Sequence, residues 1–256
     1  LETNAMGTYK ILNASNKTQS VKTLIIATTD KVYKVPSKLN VEKDELGGTD
    51  YYSISKVMAE IIIKSFIEIE KRKDLNISIA RSGNVVGGGD WSKDRLIPDC
   101  IKSWVKNKTV LIRSPYSTRP WQHVIEIIYG YLILAKNLNK DQKLHGEIFN
   151  LGPAQKANYS VIQVLRYFRQ SWEKCKWKIV KHKSLQKESK LLKLNSNKVK
   201  KILKWKTNLS LRETLEMTLS WYRSYYINKE DMYKISINQI NHYLKINFIL
   251  KISPYY

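Results

Sequence analysis

Two short groups of side chains in this sequence are suited to proton transfer. Tyr52 and Lys56 stand four residues apart in Tyr52-Ser53-Ile54-Ser55-Lys56. On a helix that spacing is about one turn, so both project from one face. A phenol is a poor base at neutral pH, and a cation held beside it favours the phenolate. Such a pair suits removal of a proton from an alcohol while hydride leaves its carbon. The second group is Thr29, Asp30 and Lys31, which follows the apolar run Leu24-Ile25-Ile26-Ala27. Thr can hydrogen-bond a reacting hydroxyl. Asp serves as an acid when its pKa is raised, and Lys as a base when its pKa is depressed or as a positive clamp otherwise. Without context the same three residues describe a capped turn with an exposed Lys. Tyr-x-x-x-Lys alone also arises by chance in many helices.

The elements that must position these groups alternate. Residues 3–17 read as a helix with Ala5, Met6, Tyr9, Ile11 and Leu12 roughly on one side. Residues 22–28 are an apolar β-type run, long enough for a strand buried on both faces. Residues 34–50 read as loop, broken by Pro36 and Gly47-Gly48. Residues 51–72 have the periodicity of a long amphipathic helix, and Asn76 to Ala80 that of a strand. A Gly-rich loop, Arg81 to Trp91, leads to a helix near 96–107 and a strand near 109–113. Arg119-Pro120-Trp121-Gln122-His123-Val124 enters a helix ending near 138. Strands are predicted at Gly146 to Leu151 and Lys176 to Val180, and a helix over 160–172. Asn195 or Ser196 is a good cap for a basic helix over 195–205. A helix over 210–226 turns Leu211, Leu215, Thr218 and Trp221 inward, and the tail after about 240 has no clear period. Alternation at this spacing predicts parallel βαβ units and an α/β fold. Thr29 then stands at the carboxyl end of a parallel strand, where open α/β sheets place ligands.

The chain of 256 residues can bury a core as one large domain or a domain plus a lobe. Its net charge of +23 would suit nucleic acid or an anionic membrane. The basic residues, however, are mostly dispersed Lys, with KRK at 71–73 and KVKK at 198–201 the only dense spots. We therefore expect a solvated basic surface with no nucleic-acid or membrane partner, one that still attracts a nucleotide-linked substrate. Cys100 and Cys175 are far apart and in no metal-type spacing, which predicts free buried thiols and no metal. No apolar run reaches a membrane span and no signal pattern opens the chain, so a cytoplasmic location is expected.

The order of motifs narrows the chemistry. TTDKVY (28–33), LGG-x-D-x-YSxSK (46–56), RxGNVxGGGDWxKDRLIPD (81–99), IRSPxxxRPWQHV (112–124) and FNLGP (149–153) occur in sequence. Over residues 1 to about 240 this resembles the extended short-chain dehydrogenase/reductase superfamily. Within it the chain is most similar to the nucleotide-sugar 4,6-dehydratases, in particular those acting on CDP-glucose. Lys31 carries much of that, because the dTDP-glucose enzymes have an acidic residue there. The resemblance implies NAD as a catalytic cofactor, a CDP-glucose substrate and a role in deoxysugar biosynthesis. Tyr52 would deprotonate the glucose 4-hydroxyl as hydride passes from C4 to NAD, Lys56 would hold the nicotinamide ribose, and Thr29 would share the 4-hydroxyl. Asp30 would protonate the departing 6-hydroxyl and Lys31 would help remove the C5 proton. Asn84 and Arg119 would hold the diphosphate. Arg95, Leu96 and Ile97 would line the nucleotide pocket, and Asn158 matches a substrate contact. A homodimer through the 51–72 helix face is common in the superfamily. His123 is expected to pack or cap, and Trp121 to lie in the core.

The resemblance also exposes departures. None of the ten glycines has the spacing of a dinucleotide-binding turn, which supplies backbone N–H groups to the pyrophosphate. By the family pattern roughly the first hundred residues are missing. The implied fold is therefore an N-terminally truncated Rossmann-like parallel sheet with a smaller α/β substrate-binding lobe. The expected division is a NAD-binding core at 1–95, rejoined by about 119–152, and a lobe at 96–118 and 153–240. An unassigned tail at 241–256 follows. Such a chain alone is expected neither to hold NAD tightly nor to turn over. Tyr51 replaces a usual Pro and Asn195 a usual Asp. Two other readings stay open: an epimerase or other nucleotide-sugar dehydratase, which shares Tyr52 and Lys56, and a non-catalytic remnant or binding subunit.

Overall fold

The computed structural model describes residues 1–35, 39–70, 72–153, 158–180 and 193–252. Pro36 and Lys71 lie outside these. The strands are β1 (Thr23–Thr29), β2 (Leu39–Asn40), β3 (Asn76–Ser82), β4 (Val85–Val86), β5 (Val110–Ile112), β6 (Thr118–Pro120), β7 (Gln122–His123), β8 (Ile148–Leu151), β9 (Asn158–Ser160), β10 (Trp177–Ile179) and β11 (Lys193–Leu194). The α-helices are α1 (Gly7–Lys17), α2 (Tyr51–Ile69), α3 (Leu96–Val105), α4 (Val124–Leu138), α5 (Val161–Ser171), α6 (Asn197–Leu203), α7 (Leu211–Arg223) and α8 (Met232–Ile252). The fold is α/β with parallel strands, as the alternation predicted. Among the described residues no helix is long and apolar enough to cross a membrane.

Two compact units form. The first comprises Leu1–Gly83, Ile127–Lys156 and Leu191–Lys206. Its sheet has the order β1-β3-β8, all parallel, with Thr29 paired to Ser82 at the carboxyl end. β3 is the middle strand and is buried from Asn76 to Arg81. β1 has the apolar run of a strand that could be buried on both faces, but it is an edge among the described strands, so Leu24 to Ile26 are half-buried and Ala27 is exposed. On one side of the sheet Leu12 of α1 and Ile63 and Phe66 of α2 pack with Leu75, Ile77 and Ile79. Arg72 ties this layer together: its guanidinium donates to the carbonyls of Ser15, Asn16, Thr18, Gln19 and Val21. These include orphan acceptors at the end of α1. Ser196 precedes α6 but does not cap it. Its hydroxyl bonds the backbone of Gly152, and Asn195 Oδ1 accepts from Asn197 N instead.

The second unit comprises Asn84–Glu126, Ala157–Lys190 and Thr207–Tyr256. Its core gathers Ile97, Ile101 and Trp104 of α3, Val164, Leu165 and Phe168 of α5, and Leu215, Leu219 and Tyr222 of α7. Both helices entered by a Ser begin with a capping box, Ser160/Gln163 and Ser210/Glu213. Cys100 and Cys175 are free and buried in this core, where burial pushes Cys175 up to about 12 and raises Cys100 as well. The aperiodic tail is the helix α8. Its polar residues bond inward, Ser236 accepting from Trp221 Nε1 and Asn247 from Asn208, so apolar spacing alone did not reveal it. The last four residues lie outside the described part.

Candidate functional site

The reactive cluster is built where α2 starts and β1 ends. Asp50 caps α2, accepting from Ser53 N at 2.9 Å and Ser53 Oγ at 2.7 Å. Burial works against its charge, but those bonds and the Lys31 charge hold its carboxyl below the ordinary value. This cap fixes the first turn, which carries Tyr52. After Thr29 the chain turns through a single 3-10 turn, Asp30–Val32. Thr29 Oγ1 donates to Asp30 Oδ1 at 3.1 Å and accepts from Lys31 N at 3.4 Å. Thr29 and Asp30 are both buried. The Lys31 ammonium lies 5.5 Å from the centre of the Tyr52 ring. Lys56 Nζ donates to the Ala27 carbonyl at 3.3 Å, and burial holds its pKa below 10.5. Thus Thr29, Asp30, Lys31, Tyr52 and Lys56 converge within the first unit. Tyr52 is half-exposed, at 47%, and so open to a ligand.

Sequence reasoning missed the layer beneath them. Glu60 and Arg81 form a salt bridge whose side chains are 0% and 1% exposed. Thr28 Oγ1 donates to Glu60 Oε1 at 2.6 Å. Arg81 also stacks over the Tyr33 ring at 4.7 Å, and Tyr33 donates to Asn150 Oδ1 at 2.6 Å. Asn150, in the FNLGP motif, donates to the carbonyls of Asn40 and Asn195. The available signal was the four-residue repeat Tyr52, Lys56, Glu60.

The residues expected to hold the sugar nucleotide belong to the second unit. The Asn84 carbonyl accepts from Gln122 N, which places the loop beside β7. Arg95 is exposed and reaches Asp90 Oδ2 at 3.2 Å. Leu96 is half-buried at the start of α3. Ile97 is 3% exposed and packed inside the hydrophobic core of this unit rather than open to a ligand. Arg119 is half-buried and Nη1 bonds the Thr118 carbonyl. Asn158 begins β9 opposite Pro120, and its side chain lies outside the described part.

The Gly-rich loop is held from outside rather than free. A Cβ at Gly87 would stand 2.5 Å from Val124, and one at Gly88 2.0 Å from Trp221. Tyr222 donates to the Asp90 carbonyl at 2.7 Å, while Trp91 packs against Trp221, Tyr222, Tyr225 and Tyr226. Trp121 is core, its Nε1 bonded to the Tyr159 carbonyl. His123 accepts from Ile125 N at the start of α4, and burial lowers its pKa to about 4, so it is a neutral cap. Among the described residues no cluster of His, Cys, Asp and Glu could hold a metal.

Comparison with known proteins places these features. The sequence profile of the NAD dependent epimerase/dehydratase family matches residues 1–152. CDP-glucose 4,6-dehydratase of Salmonella typhimurium is 33% identical over 251 residues, covering 94% of this chain and 69% of that protein. UDP-glucose 4-epimerase of Mycoplasma pneumoniae is 26% identical, covering 87% and 70%. The fold is shared with UDP-glucuronic acid 4-epimerase from Bacillus cereus, solved with UDP-glucuronic acid and NAD (TM-score 0.75, 21% identity, 88% and 69% covered). It is shared also with dTDP-glucose 4,6-dehydratase from Bacillus anthracis, solved with NAD (TM-score 0.72, 20% identity, 87% and 68% covered).

The residues present fit one end of a dinucleotide. Lys56, anchored to Ala27 and partly desolvated, and the half-exposed Tyr52 are hydrogen-bonding side chains at a strand end that would hold a nicotinamide ribose. No glycine turn for the pyrophosphate stands among the 256 residues. With the fold, the Tyr52/Lys56 helix and the profile match together, the chain belongs to the NAD dependent epimerase/dehydratase family and is an enzyme resembling CDP-glucose 4,6-dehydratase.

Proposed function

We propose that this chain carries the catalytic and sugar-nucleotide-holding part of a CDP-glucose 4,6-dehydratase. The observation that carries the reading is the Asp30-Lys31 turn, with the Lys31 ammonium 5.5 Å from the Tyr52 ring. Oxidation and reduction at C4, all that a 4-epimerase needs, call only for Thr29, Tyr52 and Lys56. An acid and a base beside them add the means to eliminate water. NAD bound beside Tyr52 and Lys56 would supply the acceptor for the C4 hydride and the donor that delivers it to C6. Tyr52 accepts the 4-hydroxyl proton while Thr29 hydrogen-bonds the same oxygen. The 4-ketone acidifies C5–H. Lys31 takes that proton, Asp30 gives one to the 6-hydroxyl, and water leaves; hydride delivered to C6 and a solvent-derived proton delivered to C5 would then give the 4-keto-6-deoxy sugar. In the second unit Asn84 and Arg119 hold the diphosphate and Arg95 the nucleotide, with Leu96 and Ile97 shaping the wall and Asn158 a substrate contact. The activity belongs to the cytoplasm, in keeping with two free buried thiols.

Dimerisation through α2 completes the proposal. Ile54, Met58 and Ile61 recur on one side of the helix and are 37%, 38% and 54% exposed. Ile61→Glu is expected to reduce the sedimenting mass to that of one chain, and an unchanged mass would remove this face. Calorimetric titration of the chain tests the substrate. CDP-glucose is expected to bind more tightly than UDP-glucose or dTDP-glucose, and Arg119→Ala to weaken it at least tenfold. No sugar-nucleotide binding, with salt-sensitive RNA or DNA binding instead, would favour the non-catalytic reading.

A further inference from the structure

Tyr52, Lys56 and Glu60 recur at four-residue intervals along α2 and so share one face across two turns. The chemistry above uses the first two and leaves Glu60 without a role. Yet Glu60 is 0% exposed, and its carboxylate accepts three hydrogen bonds: from Thr28 Oγ1 at 2.6 Å, from Arg81 Nε at 2.9 Å, and from Arg81 Nη2. The remaining Arg81 nitrogen donates to the Glu42 carbonyl at 3.0 Å. A buried ion pair adds little net stability over an apolar pair of like volume, so stability alone does not account for it. What it supplies is register. Along β1, Lys56 holds the Ala27 carbonyl, Glu60 holds the Thr28 hydroxyl, and the next residue is Thr29. Two successive side chains of the reactive face of α2 thus grip two successive residues of β1.

We propose that Thr28 and Glu60 are positioning residues that lock α2 to β1 and thereby set Tyr52 against Thr29, with Arg81 orienting the Glu60 carboxylate through two hydrogen bonds. This rests on the reading that Tyr52 and Thr29 serve one hydroxyl, but its test needs no turnover. The chain is labelled with [13Cζ]tyrosine, and the Tyr52 resonance is identified by its loss in Tyr52→Phe. Thr28→Val keeps the shape and removes the hydroxyl. Thr28→Ser keeps the hydroxyl and removes the methyl. The Tyr52 resonance is expected to move in Thr28→Val and Glu60→Gln and to stay in Thr28→Ser, while the tyrosines of the second unit stay throughout. A Tyr52 resonance unmoved in Thr28→Val, or moved as far in Thr28→Ser, would overturn the proposal. Should Glu60→Gln not fold, the two Thr28 variants decide alone. Failure of the chain to bind CDP-glucose, beside a moved Tyr52 resonance, would remove the substrate and leave the positioning relation standing.

Discussion

The Lys31 ammonium lies over the Tyr52 ring, 5.5 Å from its centre, although the two residues come from different elements. In the proposed reaction, the residue assigned to the C5 proton therefore stands next to the residue assigned to the 4-hydroxyl proton. When the chain is fused behind a Gly-rich dinucleotide-binding segment, the two steps should separate. Tyr52→Phe is expected to slow hydride removal from C4 by about 10²–10⁴. Lys31→Met should leave C4 oxidation measurable and slow loss of water by a similar factor. Stopped-flow absorbance of reduced NAD, beside product analysis, distinguishes the two; equal loss of both steps in Lys31→Met would remove its separate role.

The buried pair beneath the cluster makes a stability prediction. Arg81→Met leaves the Glu60 carboxylate buried with only the Thr28 hydroxyl, and is expected to cost ~3–5 kcal/mol in urea unfolding. Glu60→Leu with Arg81→Met removes both charges and should recover most of that loss. An additive double mutant would show that the two groups act independently.

Trp221 lies against Gly88 so closely that a side chain there must displace it. A Cβ would stand 2.0 Å from the Trp221 Cγ. Gly88→Ala is expected to destabilise the chain by ~1–3 kcal/mol. Combination with Trp221→Ala, itself damaging, should cost less than the sum of the two. Full additivity, read from denaturation midpoints, would contradict the contact.

Glu126 sets a pH dependence. It is buried at the start of α4 and accepts from Leu209 N at 3.0 Å and from Asn208 N. Burial raises its pKa from 4.5 to about 7, the two N–H donors opposing the rise. A carboxyl with a raised folded pKa binds more protons folded than unfolded, so stability falls as pH rises from 4.5 through 7. The cost above pH 7 is ~3 kcal/mol. Glu126→Gln should match wild type near pH 4.5 and exceed it by up to that amount at pH 8. A constant difference across that range would contradict the assignment. His123 works in the opposite direction: its pKa falls from 6.5 to about 4, so its contribution is lost as pH drops through that interval. Comparing wild type with Glu126→Gln cancels it.

Much of this architecture was legible because local pattern and tertiary role agreed. The run before Thr29 and the period of α2 predicted the strand and helix that carry the reactive groups, with ends within a few residues of those observed. What escaped depends on long-range pairing. β2 and β11 are two-residue strands whose only signal is each other. Ser196 reads as a cap, yet its hydroxyl is taken by Gly152, far away in sequence. The Glu60 layer could have been read from its spacing after Lys56. Its partners Thr28 and Arg81 required the fold.

The central claim is that this site eliminates water from CDP-glucose rather than inverting a hydroxyl. The direct measurement is the product formed from CDP-glucose in deuterated water, by the chain fused behind a Gly-rich dinucleotide-binding segment. A CDP-4-keto-6-deoxy sugar is expected, lighter by one water and carrying deuterium at C5. A CDP-hexose of unchanged composition, inverted at C4 and without deuterium at C5, would contradict it.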